Sequence, residues 1–210
     1  MAAVTDSFRT EQEAFWAGEF GDAYIDRNQA HDWVARNAAL FARVLARTSG
    51  ISSVLELGAN IGLNLQALRT LLPAATLTGV EINARAAERL AKVDGVEAVH
   101  SSIYEYRPNK RFDLVFTKTV LIHVEPSMLP SVYETMHALA AKYVVVVEYY
   151  NPAPVEVSYR GHSRRLFKRD FAGELLDRFP DLRLADYGFW YRRDRWFQDD
   201  VTWFLLEKTT

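Results

Sequence analysis

The sequence contains no cysteine. That excludes disulfides, cysteine nucleophiles and thiolate-bound metals, and it fits a reducing compartment such as the cytoplasm. No run approaches the roughly 20 apolar residues of a membrane-spanning helix. The opening MAAVTDSFRTEQEAFW carries acidic residues and no long apolar stretch, so it does not read as a signal peptide. An excess of positive charge is missing too. The formal net charge is -2 over 210 residues, which offers no overall basic field to a nucleic-acid backbone. Repeats, low-complexity tracts and an evident interdomain linker are absent. What remains, 49% hydrophobic and 25% charged, is the composition of one ordinary globular domain.

Two nucleotide signatures are also lacking. A Walker-type phosphate loop needs GKS or GKT, and neither occurs. A dinucleotide fingerprint needs G-x-G-x-x-G. Counting from Gly58, the third and sixth positions are Asn60 and Leu63, so two of its three glycines fail.

The pattern that is present alternates strand and helix. Apolar, β-branched runs predict strands at Ser53–Leu57, Thr76–Glu81, Val96–His100, Phe112–Thr117 and Tyr143–Tyr150. Helical spacing covers Leu63–Leu72, Ala84–Lys92, Met128–Ala141 and Arg169–Phe179. Leu182–Trp190 and Val201–Lys208 then follow with no helix between them and should pair antiparallel, joined by the charged loop YRRDRWFQDD. Upstream, helices over Thr10–Trp16 and His31–Arg47, broken at Gly18–Gly21, form an expected cap or lid at 1–50 over a domain at 51–210. The expected fold is α/β, a mostly parallel seven-stranded sheet with an antiparallel C-terminal hairpin.

The loop after the first strand is the ligand site to expect in such a sheet. Gly58 and Gly62 permit close backbone approach, and Asn60 tolerates the left-handed conformation that glycine usually supplies. Glu81 ends the second strand, where a carboxylate can accept two ribose hydroxyls. Glu56, two residues before Gly58, would repel a pyrophosphate and suit an ammonium or sulfonium. S-adenosylmethionine carries both, with a ribose.

Glu56-Leu57-Gly58-Ala59-Asn60-Ile61-Gly62 thus resembles the E-x-G-x-G-x-G of class I S-adenosylmethionine-dependent methyltransferases, departing at Asn60. Glu81, the segment Ser101-Ser102-Ile103, and FDLVFT ending at Thr117 match further parts of that family's pattern. The resemblance implies a Rossmann-like methyltransferase fold, S-adenosylmethionine as cofactor, and S-adenosylhomocysteine as product. It implies cofactor contacts from Glu56, Gly58, Asn60, Gly62, Glu81, Ser102, Ile103 and Thr117, with adenine beside Ser102 and Ile103. FWAGEFGDAYIDRN, LIHVEP, EYYNPAPVEVSYRG, FKRDFAGELLDRFPDL and QDDVTWFLLEK further resemble the methylases associated with pseudaminic acid biosynthesis. That likeness implies a small polar or amino-sugar acceptor.

Five residues outside the loop are candidates. His123 follows the fourth strand and is the candidate catalytic base, against a plain packing role. Tyr24 sits in the lid and could touch the methionine carboxylate or cap the sheet. Tyr149 ends the fifth strand. Arg160 precedes Gly161 in a basic stretch and could fix a carboxylate or phosphate, against a role as solvated surface charge. Tyr191, in the late hairpin, could close over substrate. No histidine or carboxylate spacing suggests a metal. The expected partner is a small-molecule acceptor, with no nucleic acid and no membrane, the chain being a monomer or homodimer. A nicotinamide-dependent oxidoreductase, a non-catalytic cofactor-binding partner protein and a nucleic-acid methyltransferase are the competing readings.

Overall fold

The structure is a computed structural model that describes residues 8–27 and 32–209. Asn28 and His31, both in the expected lid region, lie outside the described residues. The elements run α1 (Glu11–Ala17), α2 (Glu19–Arg27), α3 (Trp33–Val44), β1 (Ser53–Leu57), α4 (Leu63–Leu71), β2 (Thr76–Glu81), α5 (Ala84–Leu90), β3 (Val96–His100) and β4 (Phe112–Lys118). Then come α6 (Leu129–Leu139), β5 (Ala140–Glu148), the short strands β6 (Val155–Glu156) and β7 (Phe167–Lys168), α7 (Phe171–Arg178), β8 (Leu182–Trp190) and β9 (Val201–Lys208).

Seven strands form one sheet in the order β3-β2-β1-β4-β5-β9-β8. The first five are parallel, and β9 pairs antiparallel with both β5 and β8. This is the expected Rossmann-like methyltransferase fold with its antiparallel C-terminal hairpin. β5, AAKYVVVVE, lies between β4 and β9 and is buried along its apolar half, which is why it can be β-branched without alternation. One face of the sheet packs Leu40, Phe41, Leu65, Leu68 and Phe116 with α3 and α4. The other packs Phe112, Val115, Val132, Met136 and Leu175 with α6 and α7. Strand order reverses between β1 and β4, and the crevice at their carboxyl ends is where an open α/β sheet binds ligands.

Several boundaries differ from the sequence expectation. The break at Gly18–Gly21 shrinks to Gly18, the C-cap of α1, because α2 begins at Glu19 and includes Gly21. β5 starts at Ala140, directly after α6, because Ala140 pairs with Phe112 across a bulge. The hairpin between β6 and β7 was not expected. Its strands are two residues each, too short for a periodic signal.

Candidate functional site

A cavity of about 550 Å³ opens at the carboxyl ends of the parallel strands. Its floor is the turn from β1 into α4. The amides of Gly58 and Ala59 both donate to the carbonyl of Val80 at 2.9 Å, pinning this turn to β2. Asn60 takes φ 47°, and its Oδ1 accepts the next amide, Ile61 N–H, at 2.7 Å. That local bond makes the left-handed turn tolerable for a residue with a side chain. The Asn60 amide donates to Glu81 Oε2 at 2.7 Å, and the Asn83 amide donates to Glu81 Oε1 at 2.8 Å. Burial pushes the Glu81 carboxyl up, while the amides of Asn83 and Asn60 pull it back. Each oxygen retains lone-pair capacity for a ligand hydroxyl.

The roof comes from two separate stretches. Trp16 of α1 packs against His123 with ring centroids 4.6 Å apart and against Tyr24 of α2 at 5.2 Å. His123 also meets Tyr159 of the β6–β7 hairpin at 4.9 Å. Gln12 Nε2 joins the stretches by donating to Glu125 Oε2 at 2.7 Å and to the Arg164 carbonyl at 3.2 Å. At the hairpin tip, Tyr159 and His162 exchange backbone bonds of 2.9 Å across Arg160 and Gly161. Both turn residues have positive φ, 50° and 83°, the pattern of a type I′ turn that favours asparagine or glycine. Arg160 occupies the first of those positions and lines the cavity.

His123 lies in a short 3₁₀ turn after β4. Glu148, at the end of β5, accepts the amides of Val120 and Leu121 at 3.0 Å and so fixes that turn. Burial lifts the Glu148 carboxyl to about 7 against those bonds. The His123 Nδ1 lies 2.5 Å from the Arg165 carbonyl. A carbonyl accepts only, so Nδ1 carries the proton and Nε2 is the ring's lone-pair nitrogen. Burial drives the imidazole down to about 4, only partly offset by that bond, which makes His123 neutral at pH 7.

Of the thirteen residues the sequence singled out for cofactor, substrate and catalysis, the cavity gathers Tyr24, Gly58, Asn60, Glu81, Ser102, Ile103, His123, Tyr149 and Arg160, and it omits Glu56, Gly62, Thr117 and Tyr191. Glu56 is fully buried in β1, with Oε1 accepting from Asn64 Nδ2 at 2.6 Å, and burial lifts its carboxyl to about 8. It therefore supports the floor from beneath. Gly62 caps α4 with φ 82° and turns toward Leu90. Thr117 is buried within β4. Tyr191 is half-exposed beside Phe189. Ser102 Oγ donates to Glu13 of α1 and accepts the Tyr104 amide at 3.0 Å.

Sequence reasoning missed other lining residues, Gln12, Glu13, Trp16, Trp33, Asn37, Asn64, Lys118 and Gln198 among them. Asp199, in the loop before β9, lines the cavity and accepts the Tyr149 hydroxyl at 2.8 Å. Among the described residues no cluster of histidine and acidic side chains could hold a metal ion.

Residues 26–198 match the model of a family described as a methyltransferase domain. The chain belongs to this methyltransferase-domain family. No curated protein matches its sequence. Solved methyltransferases share its fold at low identity. The plantazolicin methyltransferase BpumL in complex with SAH superposes with a TM-score of 0.68 at 12% identity, over 95% of this chain and 94% of that one. Magnesium protoporphyrin IX methyltransferase from Synechocystis PCC 6803, with bound SAM, gives 0.67 at 13%, over 98% and 100%. SAM-bound CalS10, an amino pentose methyltransferase from Micromonospora echinaspora, gives 0.62 at 14%, over 90% and 96%. The matched residues take in α3, which packs into the same core as α4. Among the described residues no helix is long and apolar enough to cross a membrane.

Proposed function

We propose that this chain transfers the methyl group of S-adenosylmethionine to an oxygen or nitrogen of a small polar metabolite. The carrying observation is that a neutral His123 and the turn residue Arg160 line the same cavity as the Gly58 loop and Glu81. The cofactor fits the residues present. Glu81 keeps two oxygens for ribose hydroxyls, and the roof and floor enclose room for a nucleoside. In this reading Ser102 and Ile103 border adenine, and Gly58 with Asn60 border the amino-acid arm. Solved relatives of the same fold contain SAM or SAH.

When bound, the cofactor supplies an electrophilic methyl on a sulfonium. The protein then has to align the acceptor and manage one proton. His123 Nε2 is the base for that proton, its tautomer set by the Arg165 carbonyl. Arg160 anchors an anionic group of the acceptor, a carboxylate or phosphate, by a paired contact. Its placement at a positive φ that disfavours arginine supports a functional reason for the residue. Tyr24 and Tyr149 flank the acceptor. The resemblance of LIHVEP and EYYNPAPVEVSYRG to pseudaminic acid-associated methylases supports an amino-sugar acceptor, and one structural relative is an amino pentose methyltransferase.

A screen of small acids and amino-sugar nucleotides with methyl-labelled S-adenosylmethionine tests this. The expected result is label in one acceptor at O or N. An absence of saturable S-adenosylmethionine binding overturns the proposal.

A further inference from the structure

On the side where α3 meets the chain entering β9, the cavity wall holds buried polar atoms that the protein leaves without partners. Asn37 and Gln198 are 2% and 5% exposed, and the amide oxygen of each has no hydrogen-bond partner. The same holds for Asn64 Oδ1. The orientation of two amides is fixed by chemistry. Gln198 Nε2 donates to the Arg36 carbonyl at 3.0 Å, and Asn64 Nδ2 donates to Glu56, so their oxygens must face elsewhere. Every one of these orphaned groups is an acceptor. A buried acceptor without a partner costs about 1–3 kcal/mol, so several in one wall call for a donor that the protein does not contain.

One cation shares the wall. Lys118 ends β4, with its ammonium 6.0 Å from the Trp33 ring centroid. Burial lowers its pKa, opposed in part by Glu56, Asp199 and Glu148. Trp33 and Asn37 are four residues apart on α3 and so share a face. Amide acceptors beside a lysine, at the mouth of the β1–α4 turn, match a group carrying both an ammonium and a carboxylate.

We infer that Asn37, Asn64, Gln198 and Lys118 form the subsite for the α-amino-acid end of the cofactor. The amide oxygens take the ammonium hydrogens, and Lys118 takes the carboxylate. This rests on the S-adenosylmethionine reading above. It reassigns the ammonium from Glu56, which the cavity does not reach.

The test compares two ligands that differ only in this end. S-adenosylhomocysteine carries the amino acid, and 5′-methylthioadenosine keeps the nucleoside thioether without it. Calorimetric affinities are measured for the wild type and for Asn37→Ala, Gln198→Leu and Lys118→Met. The expected result is a loss of at least about tenfold for S-adenosylhomocysteine in Asn37→Ala and Lys118→Met, with 5′-methylthioadenosine unchanged. The unchanged ligand also reports an intact fold. If all three variants keep the wild-type ratio of the two affinities, or lose both ligands equally while remaining folded by thermal melt, the subsite is wrong and the cofactor reading stands. Binding of neither ligand to the wild type overturns both.

Discussion

The backbone amide of Asn60 donates a 2.7 Å hydrogen bond to Oε2 of Glu81. This bond ties the β1–α4 turn to the end of β2. Asn60 keeps φ at 47° because its own Oδ1 takes the Ile61 amide. Asn60→Gly should therefore stay within about 1 kcal/mol of the wild type, trading one local bond for backbone ease. Asn60→Ala keeps the left-handed cost and loses the side-chain bond, so it should be about 1–2 kcal/mol less stable than Asn60→Gly. Urea unfolding of the two variants checks this, and equal midpoints would contradict it.

The order of parallel strands and the Gly58 turn were legible because each strand is a run of apolar residues bounded by helix signals. Glu81 was legible because its position at a strand end fixes where its carboxylate goes. Glu56 was misplaced for a physical reason. β1 is buried on both faces, so alternation cannot say which side an acid takes. Asn37, Lys118 and Gln198 had no local signature at all. They lie on α3, β4 and the approach to β9, and only the strand order brings them to one wall. Arg160 was legible through Gly161, since the pair forms one tight turn.

Arg160→Asn separates stability from function at that turn. Asparagine suits the positive φ better, so the variant should be as stable as the wild type or up to about 1 kcal/mol more stable. Acceptor KM should rise at least about tenfold with the loss of a paired ionic contact, while S-adenosylhomocysteine affinity is unchanged. An unaltered acceptor KM would remove Arg160 from the site.

His123 links stability to acid. Its folded pKa of about 4 lies below the ordinary 6.5, so the unfolded chain binds more protons between those values. Stability should fall as pH drops through that window, by about 2 kcal/mol from this residue between pH 7 and pH 5. His123→Gln should lack that component, and the difference between the two unfolding curves isolates it. Parallel pH profiles for the two proteins would show that the imidazole is not held neutral.

Glu56 has the opposite sign. Burial raises it from 4.5 to about 8, so the folded state binds more protons between those values. Its contribution is complete below 4.5 and is lost as pH climbs through 8. Glutamine copies the neutral acid and can still accept from Asn64. Glu56→Gln should match the wild type within about 1 kcal/mol at pH 4 and be the more stable of the two at pH 9. Glu148 shares the upward direction but is present in both proteins, so the comparison cancels it. A variant that gains no ground on the wild type between pH 4 and pH 9 would mean that burial does not hold the Glu56 carboxyl above its ordinary range.

Gly21 holds the roof close. A Cβ there would stand 1.9 Å from the Trp16 carbonyl oxygen and 2.9 Å from Asn83 Nδ2. Asn83 Nδ2 also donates to Asp22 Oδ1 at 2.9 Å, clasping α2 to the turn after β2. Gly21→Ala must push α2 away from the end of α1, and the clash is with backbone that cannot swing aside. The expected cost is about 1–3 kcal/mol, as for overpacking in a tight contact. Because Trp16 and Tyr24 lie on either side of that junction, S-adenosylhomocysteine should also dissociate faster. Gly161→Ala is the control, since nothing lies within 4 Å of its Cβ and only the φ of 83° opposes it. It should lose about 1 kcal/mol through backbone strain alone, with the ligand off-rate unchanged. Stopped-flow release from both variants decides the matter, and equal off-rates would mean that contact between α1 and α2 does not control the roof.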